Sequence, residues 1–105
     1  MVIEWLKIRV APDRREQYIQ KDEEIWTTAL STYPGFLGKQ VWINPNQQDE
    51  VVLVIQWESR EAWKRVSVQH IEETERLFSQ AMGDAVYSII EEREYQVRKF
   101  PQIQT

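Results

Sequence analysis

Hydrophobic and polar residues alternate from Val2 to Val10: Val2, Leu6, Ile8 and Val10 share one face, and Ile3, Trp5, Lys7 and Arg9 the other. A period of two predicts a strand with one apolar and one mixed face. Glu4 interrupts the apolar face. Beyond Ala11-Pro12 the period lengthens. Tyr18, Ile19, Ile25, Trp26, Ala29, Leu30 and Tyr33 recur at helical spacing, while Gln17, Gln20, Glu23 and Glu24 are the polar outward positions. This predicts an amphipathic helix of roughly five turns. Asp13 and Glu16 have the spacing of a capping box, and Pro34-Gly35 ends the helix.

A second strand is expected over Phe36 to Ile43, followed by turn-forming residues from Asn44 to Asp49. The continuous aliphatic run Val51 to Ile55 then predicts a buried third strand, paired with the second in a hairpin whose link exceeds two residues. Ser59 is placed to cap a helix from about Arg60 to Met82, bent near its middle, with Glu61 suiting its positive end. Its stripe is Trp63, Val66, His70, Thr74, Leu77 and Ala81, widened by Ile71, Phe78 and Met82. Residues 85–90 fit either a helical continuation or a strand. A fourth strand is expected near Glu92 to Phe100, with 101–105 as a loose tail after a single domain spanning 1–100.

The resulting order, β-α-β-β-α-β, is the split βαβ or ferredoxin-like arrangement, an α+β fold with a four-stranded antiparallel sheet and both helices on one face. The other face is left bare. It would carry Trp5, Lys7, Arg9, Gln40, Trp42, Val52, Val54, Gln56 and Glu58, a mixture too apolar for water and too charged for a closed core. A homodimer stacking two such faces is expected, with Lys7 or Arg9 meeting Glu58.

Composition narrows the chemistry. The absence of cysteine excludes disulfides and thiolate sites, and one histidine excludes a His-rich zinc centre. A formal charge of −4 with scattered basic residues disfavours nucleic acid as a partner. Three glycines supply no phosphate-cradling loop. No apolar run approaches the ~20 residues of a membrane span, and a cytoplasmic location is expected. Five tryptophans are the outlier. They fit either core and subunit packing or a pocket for a planar ligand.

Three segments carry a family resemblance: Val10-Ala11-Pro12, Tyr33-Pro34-Gly35-Phe36, and Gln56-Trp57-Glu58-Ser59-Arg60-Glu61-Ala62-Trp63. With the element order, they make the chain resemble the antibiotic biosynthesis monooxygenase-like (ABM) family of small proteins. The resemblance implies a dimeric α+β barrel with a ligand cleft between each sheet and its helices. Some members of this family oxidise aromatic polyketides or open heme with no conventional cofactor, and others have no known activity. The Asn, Trp and His of heme-degrading relatives fall near Leu6, Val66 and Arg76, so that chemistry does not carry over residue by residue.

Two residues are candidates for catalysis. His70 exchanges its proton near neutral pH and can serve as base or axial ligand; the bland reading is a partly buried imidazole satisfied by a neighbour. Glu4 becomes a raised-pKa base if desolvated, or a plain solvated carboxylate if its strand end is open. Trp26, Tyr33, Trp57, Trp63 and Tyr87 are candidates to line an aromatic pocket, with core packing as the alternative for Trp57 and Trp63. No metal or cofactor is called for. The functions in view are cofactor-independent oxygenation of an aromatic molecule, a non-catalytic binding or interaction module, and, more weakly, heme binding through His70.

Overall fold

The computed structural model describes residues 1–101, so most of the expected tail lies outside the described residues. Four antiparallel strands, β1 (Val2–Val10), β2 (Phe36–Asn44), β3 (Gln47–Trp57) and β4 (Tyr87–Gln96), form one sheet in the order β2-β3-β1-β4. The long aliphatic run took a central place, as its composition requires: Val51 to Ile55 are all buried. Helical segments pack on one face only. They are α1 (Arg15–Lys21), a π-helical stretch Asp22–Thr27, a final turn α2 (Thr28–Leu30), α3 (Arg60–Lys64) and α4 (Val68–Met82).

Cross-strand register sets what the helices cover. Lys39 pairs with Ile55, Ile55 with Glu4, and Glu4 with Glu94, so one lateral row crosses the sheet on its helix-covered face. The next row out, Gln40, Val54 and Trp5, faces away. The parity expected for β1 is therefore correct, Glu4 included.

Several local expectations are corrected. The first helix is not uniform: an extra residue per turn over Asp22–Thr27 rotates its inner face. Asp13 makes no capping hydrogen bond, because Ala11-Pro12 opens a 3-10 turn (Pro12–Arg14) before α1 begins. The hairpin link is two residues, with Asn44 pairing Gln47. Pro45 cannot take the positive φ of the usual tight hairpin turn, and a register shift between Trp42 and Asn44 absorbs the misfit. Glu58 lies past the end of β3, its amide donating to the Gly35 carbonyl at 2.7 Å.

The second helix breaks between Lys64 and Val68. Ser59 caps its first piece through Ala62 N at 3.1 Å, and Ser67 caps its second through His70 N at 3.1 Å. That break resets the helical phase. Thr74, Phe78 and Met82 turn inward, leaving Leu77 54% exposed where a continuous stripe would have buried it. Strand β4 starts at Tyr87, earlier than expected, which resolves residues 87–90 as strand.

Two of the motifs behind the family resemblance meet. Gly35 has φ +89°, and a Cβ there would stand 2.4 Å from that of buried Ala62. Only glycine lets the loop before β2 lie against α3.

Candidate active site

Between sheet and helices lies a hollow of about 380 Å³, within the ~300–1,000 Å³ range of small-molecule sites. Its floor is Glu4 and Leu6 of β1, Lys39 of β2, and Leu53, Ile55 and Trp57 of β3. Its roof comes from the first helix (Tyr18, Asp22, Trp26, Leu30) and from α3, α4 and the break between them (Trp63, Lys64, Val66, Val68, Ile71). The broken second helix matters here. It carries Trp63 and Lys64 to the rim, where the Lys64 ammonium sits 4.0 Å from the Trp63 ring centroid.

Glu4 is the carboxylate of the sheet floor. The fully buried Trp57 donates its indole N–H to Glu4 Oε1 at 3.2 Å. Burial pushes the Glu4 carboxyl above its ordinary range, while the Trp57 hydrogen bond and the charges of Lys64 and Lys39 pull it partly back. A desolvated carboxylate with one fixed donor is a stronger base than a solvated one.

A second acid faces the same space and was not anticipated. Asp22 is 1% exposed and lies in the π-helical stretch. Its Oδ2 is 2.5 Å from the Nζ of Lys39, whose side chain is equally buried. The two meet as a buried ion pair through Oδ2, which leaves Asp22 Oδ1 with no partner among the described residues. Burial raises the Asp22 carboxyl, and the charge and close approach of the Lys39 ammonium oppose that rise. The signal was present in the spacing: Tyr18, Asp22, Trp26 and Leu30 follow at intervals of four, which places Asp22 on the apolar stripe. Lys39 follows from the parity of β2, since Gln40 and Trp42 on the bare face leave Lys39 toward the helices.

The other anticipated residues divide. Trp26, Trp57 and Trp63 line the hollow with Glu4. Tyr33 and His70 do not; they pair with each other, Tyr33 Oη to His70 Nδ1 at 2.6 Å. Tyr87 belongs to the opposite end of the helical layer, packed edge-on against Tyr18 and Phe78. Its hydroxyl donates to Glu75 at 2.8 Å, and burial with that carboxylate pushes it up to about 12. Among the described residues no cluster of three His, Cys, Asp or Glu could hold a metal ion.

The profile of the family described as antibiotic biosynthesis monooxygenase matches residues 1–67, well over half of the chain. The chain belongs to this family. No curated protein matches it. Solved structures show the fold of this ABM protein at low identity. HapK from Hahella chejuensis is 15% identical, with a TM-score of 0.73 over 99% of this chain and 100% of that one. SnoaB from Streptomyces nogalater, a cofactor-independent oxygenase, is 14% identical, with a TM-score of 0.65 over 94% of each chain. A dimeric ferredoxin-like protein from an uncultured marine organism is 17% identical, with a TM-score of 0.70 over 97% of this chain and 100% of that one.

The outer face of the ABM protein's sheet is a shallow groove lined by Trp5, Lys7, Gln40, Trp42, Gln56 and, from β4, Arg93 and Tyr95. Trp42 is 49% exposed there. Arg9 stands apart, 3.6 Å from Asp49, and Lys7 is paired with Glu50 at 3.6 Å. No helix among the described residues is long and apolar enough to cross a membrane.

Proposed function

We propose that this protein takes a flat, enolisable aromatic molecule into the hollow and oxygenates it without a cofactor, with Glu4 as the base. The observation that carries this reading is a half-buried carboxylate, its pKa raised by desolvation, on the floor of a cavity lined by three indoles. Glu4 removes a proton from an activated CH₂ of the substrate. The resulting carbanion is delocalised into the rings, and the Lys64 and Lys39 charges that act on Glu4 favour it. It passes one electron to dioxygen, the radical pair combines into a carbon-bound peroxide, and loss of water leaves a ketone. The balance is R₂CH₂ + O₂ → R₂C=O + H₂O, with the substrate supplying every electron. The aromatic walls exclude water from the carbanion. SnoaB, which shares this fold, supports the reaction class.

Two copies stack through the open sheet face around Trp5 and Trp42, completing the barrel. The exposed indole of Trp42 and the dimeric neighbour support this. Sedimentation as a monomer at micromolar concentration contradicts it.

The test uses anthrone as probe, following oxygen uptake and anthraquinone formation. Wild type accelerates both over buffer, and Glu4→Gln lowers kcat by about 10²–10⁴-fold with binding retained. Equal rates in the two proteins overturn the assignment of Glu4. A second reading, binding without turnover, draws on the position of His70 outside the hollow. Saturable quenching of indole fluorescence with no oxygen uptake selects it.

A further inference from the structure

Burying an ion pair is costly, and the cost is offset only when the remaining lone pairs and protons find partners. Asp22 and Lys39 meet half of that requirement. They neutralise each other through Oδ2, yet Asp22 Oδ1 has no partner among the described residues, and the pair borders the hollow. An anion is repelled there by Asp22 and a cation by Lys39. What completes the site is one neutral atom that donates to a carboxylate and accepts from an ammonium. That describes a hydroxyl oxygen.

We propose that Asp22 and Lys39 form a hydroxyl-recognition subsite at one end of the hollow, anchoring a phenolic O–H of the ligand. The O–H donates to Asp22, and its oxygen accepts from Lys39. The sheet register gives this anchor a purpose. Lys39 and Glu4 belong to one lateral row with Ile55 between them, two strand spacings or roughly 10 Å apart along the backbone. A fused polycyclic ligand held by its hydroxyl at the Asp22–Lys39 end extends across Ile55 toward Glu4. The subsite thus selects hydroxylated over bare aromatics and fixes which ring edge reaches the base.

This inference rests on the preceding reading only in placing the ligand in the hollow, and its test needs no turnover. The probes are 1-naphthol and 1-methylnaphthalene, alike in shape and differing by hydroxyl against methyl, titrated by quenching of indole fluorescence. Wild type binds 1-naphthol at least about tenfold tighter. In Asp22→Leu/Lys39→Met the preference disappears or reverses, while thermal stability holds or rises, because an apolar pair replaces a buried ionic one. Should that double variant not fold, Asp22→Asn is measured instead and loses most of the preference. A purely structural ion pair would change stability and leave the preference untouched, which overturns the proposal. Equal binding of both probes by wild type overturns the subsite alone. Failure of both probes to bind overturns the subsite and the cavity reading together.

Discussion

One helical layer covers one sheet, yet its two ends are built differently. At one end Ile8, Val10, Tyr18, Val51, Leu53, Phe78 and Met82 close into a cluster in which no member is more than 4% exposed. At the other, Leu30, Ile55, Trp57 and Ala62 are buried, but Leu6, Trp63 and Val66 around them are only partly covered and a hollow remains. Side-chain size does not explain the contrast, since the hollow end has more tryptophan. Backbone does. At the dense end, α4 lies unbroken over the sheet and inserts Phe78 and Met82. At the hollow end the second helix breaks after Lys64, and the first helix changes to π-helical winding from Asp22 on. The dense end stabilises the fold, and the hollow end holds the acids and cations.

Truncation should separate the ends most strongly. Phe78→Ala removes a fully buried ring with edge-on contacts to Tyr18 and Tyr87, for an expected loss of about 3–5 kcal/mol. Trp63→Ala, at the rim of the hollow, should cost no more than about 2 kcal/mol, because its surroundings are already open. Urea unfolding of both variants checks this; equal losses would mean the hollow end is packed as tightly as the other.

A smaller effect comes from pH. Glu4 is held above its ordinary carboxyl range by burial, so the folded state retains its proton to higher pH than the unfolded chain does. Between those two values the folded state binds more protons, and its stability falls as pH rises. Below the ordinary carboxyl range the penalty vanishes. Glu4→Gln should therefore match wild type in acid and become the more stable of the two as pH climbs toward neutrality. Asp22 is raised in the same sense, so the comparison must be made against Glu4→Gln rather than against the absolute curve. A stability difference independent of pH would place Glu4 in solvent.

Much of this contrast was legible in the chain. The alternation in β1 placed Glu4 on the inner face, the aliphatic run named the central strand, and the tryptophans expected in a pocket at 26, 57 and 63 line the hollow. Failures came where one residue shifts a period. The break at 65–67 reset α4, so His70 joined Tyr33 and missed the hollow, and Leu77 became exposed. The Asp22–Lys39 pair went unseen because its partners are 17 residues apart in sequence and meet only when helix lies on sheet. Tyr87 was misread because its strand began earlier than expected. Periodicity reports faces well, and it loses them at each irregularity.

The most direct measurement pairs two overpacking substitutions on the same strand face with a ligand titration. Leu6→Trp fills the hollow, whereas Val10→Trp forces a large ring into the dense end. Leu6→Trp should fold with near wild-type stability and lose saturable quenching by anthraquinone, while Val10→Trp should be destabilised by about 1–3 kcal/mol or more and keep binding wherever it remains folded. Anthraquinone bound as tightly by folded Leu6→Trp as by wild type would contradict the account, because the ligand would then lie somewhere other than beneath the helices.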